Sequence, residues 1–199
     1  MSIIIKCMQN HIPTRSEAFE LVKQYIKTES LINHALAVEA VMRYYAQLHG
    51  QDVEKWGVIG LVHDLDWEVE PERHTLKTRE ILEAANWPED YIRAVESHAF
   101  GSCTEVVPLS LLEKTLYAID ELTGLITATA LVRPSKSIMD VKVKSVKRTW
   151  KTKNFAAGCH RETIEKGAEM LGLERGELIE GTLTAMQGIA EELGLKGVD

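Results

Sequence analysis

Apolar residues recur at helical spacing along almost the whole of this 199-residue chain, and no alternating run of useful length interrupts them. That pattern restricts the chain to an all-α fold, a bundle made by burying one stripe of each helix. Capping residues and helix breakers divide it into elements. Thr14, with Glu17 three residues on, opens a helix to about Lys27. Ser30 opens a second that ends near Gly50, and Asp52 a third that carries Trp56, Ile59 and Val62 into His63-Asp64. Pro71 starts a fourth to about Asn86 and Pro88 a fifth to about Gly101. Pro108 starts a long sixth to about Val132, where Arg133-Pro134 stops it. Further helices are predicted over 137–147, 160–171 and 175–194, with no internal repeat.

A chain of this length makes one domain, or one domain with an extension. Hydrophobic residues make up 45% and charged residues 27%, enough apolar material for a core. The net charge of −7 argues against a surface made for nucleic acid. The best apolar run, 122–132, is shorter than the ~20 residues of a membrane span and is flanked by Asp120-Glu121 and Arg133. The first residues, MSIIIKCMQNH, lack the basic and apolar segments of a signal peptide. Cys7, Cys103 and Cys159 are scattered and odd in number, which fits a reducing cytoplasm rather than a disulfide framework or a CxxC metal site. Against this acidic background, 133–153 holds eight basic residues (Arg133, Lys136, Lys142, Lys144, Lys147, Arg148, Lys151, Lys153) and one acid, Asp140. The contrast divides the single domain, 1–199, into a core at about 30–132 and a helical extension at about 137–194. Most of these cations read as a solvated face. One aromatic, Trp150, lies among them, so stacking platforms for nucleic acid are few.

Five polar residues interrupt the apolar stripes. His34 shares a face with Val38, Val41 and Tyr45. His63 follows Ile59, His74 precedes Ile81 and Leu82, and His98 follows Tyr91, Ala94 and Val95. Asp120 follows Leu112 and Leu116. Helical spacing therefore turns each inward, and Asp64 adjoins His63. A single inward histidine is ordinarily a hydrogen-bonded core residue, but a buried carboxylate needs a cation or several donors. Six such residues over five helices fit a shared metal site, since imidazole nitrogen and carboxylate oxygen suit divalent Fe, Mn, Zn, Mg, Co or Ni. In an adjacent His-Asp pair, one carboxylate can bridge two ions while its neighbour caps one of them. His11, His49 and His160 lack such a context and read as surface or structural.

The ordered set His34, His63-Asp64, His74, His98, Asp120 resembles the HD superfamily of metal-dependent phosphohydrolases, most closely its HDIG-type members, over about 30–132. The whole chain looks like small bacterial and archaeal predicted hydrolases of that superfamily. The resemblance implies an HD-domain helical bundle with additional C-terminal helices, and one or two divalent ions. His34, His63, Asp64 and Asp120 would hold the first ion, and Asp64 would bridge to a second held also by His74 and His98. It implies hydrolysis of a nucleotide or other small phosphate ester by metal-activated water. The motif often continues His-Asp-small-Gly-Lys, with the lysine on substrate phosphate. Here Leu65-Asp66-Trp67-Glu68 follows instead, so that lysine is absent. Asp66 and Glu68 join Asp64 as candidate catalytic residues, as bases or as partners of the histidines. Arg133 and Lys136 are candidate substrate-binding cations if the chain folds back after Pro134, because Arg133 lies ~20 Å along a continuous helix from Asp120. Two other readings share the site: a di-iron oxygenase acting on small polyols or phosphonates, as some HD members do, and a non-catalytic module that binds a nucleotide or a structural metal. The expected partners are a small phosphorylated substrate such as a nucleotide, with no membrane and no nucleic acid. The apolar positions Leu178, Ile179, Leu183, Met186, Ile189 and Leu193 fit either core or the face of a homodimer.

Overall fold

The computed structural model describes residues 11–152 and 154–197. Most of the N-terminal segment, with Cys7, and Lys153 in the basic stretch lie outside the described residues. Helix α1 (Arg15–Tyr25) starts at the expected capping box. Thr14 Oγ1 accepts from the Glu17 amide, and the Glu17 carboxylate accepts from the Thr14 amide at 2.8 Å. Eight more α-helices follow: α2 (Glu29–Leu48), α3 (Val53–Leu61), α4 (Leu76–Ala84), α5 (Glu89–Ser97), α6 (Leu111–Leu131), α7 (Val143–Trp150), α8 (Arg161–Leu171) and α9 (Arg175–Gly188). Among the described residues there is no strand, and only one isolated bridge, Phe100 to Thr104. The fold is an all-α bundle.

Helix α2 lies at the centre and packs on α3, α6 and α9, and α6 carries α8 on its far side. Two glycines set how closely these helices approach. A Cβ on Gly60 of α3 would stand 2.9 Å from Met42 Cγ of α2, and one on Gly167 of α8 would stand 2.5 Å from Ala118 Cα of α6. The buried face of α6 repeats at 112, 116, 119, 122/123, 126 and 130, the inward stripe expected of it. Each fully buried Leu or Ile along it contributes roughly 1.5–3 kcal/mol. The apolar positions of the extension enter the same core. Leu178, Ile179, Leu183, Met186 and Leu193 are buried, and Ile189 packs partly buried against them. They are core rather than a free apolar face.

Several boundaries differ from the periodicity-based reading, each for a local reason. Helix α2 is capped at Thr28, not Ser30, and α6 at Ser110, not Pro108. The third helix ends at Leu61, so His63-Asp64 lies on the turn that follows, not on a helix. Pro71 opens only a three-residue 3₁₀ turn, Pro71–Arg73, because Thr75 takes a left-handed conformation (φ 68°) that breaks any helix through it. His74 therefore stands between two elements rather than on a helical stripe. The predicted 137–147 helix is a 3₁₀ turn, Ile138–Asp140, followed by α7, and the last helix stops at Gly188 rather than 194.

Candidate metal centre

Four elements and one turn bring the six residues to one place. α2 delivers His34 and the middle of α6 delivers Asp120. The turn after α3 delivers His63 and Asp64, the 3₁₀ turn before α4 delivers His74, and the end of α5 delivers His98. His34 Nε2 lies 3.0 Å from Asp120 Oδ1 and 3.2 Å from His63 Nε2. Asp64 Oδ2 stands 3.4 Å from His63 Nε2 and 3.6 Å from His34 Nε2. The other Asp64 oxygen, Oδ1, stands 3.5 Å from His74 Nε2 and 3.4 Å from His98 Nε2, themselves 3.0 Å apart. The donors thus form two groups, His34/His63/Asp64/Asp120 and Asp64/His74/His98, joined by the two oxygens of one carboxylate.

Proton bookkeeping tests whether these groups fit a cation. Each imidazole spends its Nδ1 proton away from the centre. His63 donates to Gly60 O at 2.8 Å and His98 to Val95 O. His74 donates to Asp66 Oδ1 at 2.8 Å. The Thr123 hydroxyl donates to Asp120 O at 2.7 Å, so it accepts from His34 Nδ1 at 3.2 Å. With the four imidazoles neutral, as metal ligation requires, four Nε2 lone pairs then face one another and two carboxylates, with no proton among them. An ion held at ~2.1 Å by ligands about 90–110° apart needs donor–donor edges of roughly 3.0–3.4 Å, and the edges here run from 3.0 to 3.6 Å, the two longest both to Asp64. The cluster can hold a divalent metal.

The electrostatics point the same way. Burial alone would lower the pKa of His63, yet Asp64 and Asp120 beside it hold it well above the usual histidine value. Burial would raise Asp64, yet His63 and His98 hold it well below the carboxylate range. These carboxylates stay charged inside the protein only because cationic character surrounds them.

The remaining candidates fall elsewhere. Asp66 is fully buried behind the centre, where one oxygen orients His74 and the other accepts from the Thr78 amide at 2.9 Å. It has no free oxygen with which to act as a base. The backbone that carries His74 is strained, since Thr75, left-handed and β-branched, follows it directly. Glu68 also lies away from the centre. Its carboxylate caps α2, accepting from the amides of Lys27 and Thr28 at 2.8 and 3.1 Å. Arg133 and Lys136 do not reach the centre either, because α6 runs unbroken from Asp120 to Leu131 and carries them to its far end. Arg133 turns there toward Ser145 Oγ, 3.4 Å away, and Lys136 is exposed.

A cavity of about 870 Å³ opens over the donor groups. Trp67 forms part of its wall, edge-on to the His74 ring at 5.0 Å between centroids. Phe100 and Tyr117 line it, and so do Cys159, His160 and Lys166 from the extension. Sequence reasoning missed these residues. His160, read as surface or structural, is exposed but lines the cavity and pairs through Nδ1 with Glu121 Oε1 at 2.7 Å. Burial and the neighbouring Asp120 raise the pKa of Glu121, with His160 opposing them. Burial pushes the Cys159 thiol up to about 12, so it is not a thiolate nucleophile. Among the described residues no helix is long and apolar enough to cross a membrane.

Residues 31–125 match the family model of the HD domain. The match contains all six converging residues and supports the HD superfamily, a family of metal-dependent hydrolases, for this segment of the chain. No curated protein and no solved structure matches the chain. Helices α7, α8 and α9 lie beyond the HD segment, yet α8 and the loop before it supply one wall of the cavity.

Proposed function

We propose that this HD-domain protein is a phosphohydrolase that cleaves a small phosphate ester, such as a nucleotide, with two divalent ions. The observation that carries the reading is the bridging of two His/Asp donor groups by Asp64. His34, His63, Asp120 and Asp64 Oδ2 would hold one ion, and Asp64 Oδ1, His74 and His98 the other. When bound, such a pair lowers the pKa of water towards ~7 and neutralises charge on phosphoryl oxygens. The chain supplies the rest. Asp66 fixes the tautomer and ring plane of His74, and the carbonyls of Gly60 and Val95 do the same for His63 and His98. Trp67, Phe100 and Tyr117 enclose the substrate and limit water around it.

The test is phosphate release from a panel of phosphomonoesters and nucleotides, with Mn, Mg, Co, Fe, Zn or Ni added to metal-stripped protein. Asp64→Ala should abolish release, and His49→Ala, remote from the cavity, should leave it unchanged. Equal activity in both variants would sink the assignment. A second reading, a di-iron oxygenase, draws support from the scarcity of cations at the cavity, where Lys166 is the one lysine or arginine among the described residues on the wall. Iron in the purified protein, a visible absorption band and O₂ consumption would favour it; a colourless protein active under nitrogen would exclude it.

A further inference from the structure

A phosphoryl dianion calls for a cation besides the metals, and the loop after the His63-Asp64 pair provides none. Leu65 is apolar, Asp66 is buried behind His74, and Glu68 caps α2. Arg133 and Lys136 do not line the cavity. Lys166 does, and no other lysine or arginine among the described residues lines it. It comes from α8, outside the HD segment. Its ammonium sits 4.3 Å from the centroid of the Phe100 ring, which steadies it over the cavity wall. Some cations of this protein are drawn into ion pairs, as Arg79 is with Glu83, Glu89 and Glu96, and their charge is already spent. Among the described residues no carboxylate is ion-paired with Lys166, even though Glu162 lies one turn earlier on the same helix and lines the same cavity. An unpaired ammonium, held on an aromatic ring and lining the same cavity as the candidate metal centre, has the chemistry of an anion anchor.

We propose that Lys166 binds the anionic group of the substrate across the cavity from the metal-ligating residues, so that the extension after the HD segment completes the substrate site. The identification of that anion as a phosphoryl group rests on the phosphohydrolase reading; the anion site itself does not. Binding through one charge-assisted contact makes Lys166 a residue of substrate affinity.

The experiment uses the full chain loaded with the metal it takes up, as wild type, Lys166→Met, Lys166→Arg and Lys166→Glu. Met keeps an aliphatic stem on Phe100 and removes only the charge, and an exposed position tolerates all three. Each is measured for kcat and KM on p-nitrophenyl phosphate, for metal content, and for inorganic phosphate affinity by calorimetry. Met should raise both KM and the phosphate Kd by roughly ten- to a hundredfold. Glu should raise them further and Arg should restore most of the loss, with kcat within about twofold and metal content unchanged. Unchanged KM and phosphate affinity in Met, or an equal loss in Met and Arg, overturns the proposal. Should the wild type hydrolyse no phosphate ester, the phosphohydrolase reading fails and the calorimetry alone decides on Lys166. Phosphate binding that weakens in Met upholds the anion site. A wild type that binds no phosphate, or binds it no better than Met does, removes it.

Discussion

Asp66 is the residue whose part in the centre is most sharply separable from that of the ligands. It touches none of the five Nε2 or carboxylate donors around Asp64; it holds His74 through Nδ1 and is itself held by the Thr78 amide. Replacing such a partner typically lowers metal affinity or activity by about 10–100-fold. In Asp66→Asn one amide nitrogen must face either the His74 Nδ1 proton or the Thr78 N–H, so one of the two hydrogen bonds is lost. The expected outcome is selective. Affinity at the Asp64/His74/His98 group falls, while the His34/His63/Asp64/Asp120 group keeps its ion. Elemental analysis after dialysis should therefore find close to one metal per chain, against two in the wild type. Loss of both ions, or of neither, would contradict this account of Asp66. His34 and Asp120 were legible because an inward imidazole or carboxylate conflicts with the apolar stripe of its helix, whereas His63, Asp64 and His74 stand on turns and were legible through the ordered set they complete. Asp66 and Glu68 were not separable that way. They lie in a turn without periodicity, and which acid turns in was decided by the Thr78 amide, which takes Asp66, and by the Lys27 and Thr28 amides at the start of α2, which take Glu68.

At the scale of elements, α8 matters because it brings Lys166, Glu162 and Thr163 to the cavity, and it sits where it does because Gly167 lets it touch α6. The Cβ of Gly167→Ala would meet the backbone of Ala118 at 2.5 Å, and Ala118 is two residues from Asp120. Backbone cannot swing aside as a flexible side chain can, so the helices must separate, at a cost of about 1–3 kcal/mol. Thermal unfolding should show the loss as a lowered midpoint, accompanied by a raised KM and an unchanged metal content. An unchanged midpoint would mean that the two helices are less tightly apposed than described. Helix existence was legible from periodicity and caps, as the Thr14/Glu17 box shows. Boundaries were less so where a single residue overrode the pattern. Thr75 in a left-handed conformation turned a predicted helix from Pro71 into a 3₁₀ turn and α4, and His74 became a candidate ligand on a turn. The contact of Gly167 with Ala118 joins positions far apart in sequence, and no local signal announces it.

For the whole molecule, the question is whether the metals hold the fold or the fold holds the metals. One apolar core runs from Ala18 in α1 to Leu195 beyond α9, and none of the six converging residues belongs to it. Burial of that core does not depend on the ions, so metal-free protein should stay folded and helical. It should nonetheless be less stable, since the native state alone assembles the donors. An ion present at 100 times its dissociation constant stabilises by about 2.7 kcal/mol, and a chain of this size gains roughly 2–4 °C per kcal/mol. Chelation should therefore lower the unfolding midpoint by about 5–11 °C for each ion removed, with the far-ultraviolet circular dichroism at 20 °C unchanged and the midpoint restored by re-adding metal. Loss of helicity on chelation at that temperature would reverse the order of dependence and make the ions structural. A midpoint insensitive to chelator and to added metal would mean that no ion binds, and the four facing Nε2 atoms would then need protons in place of a metal.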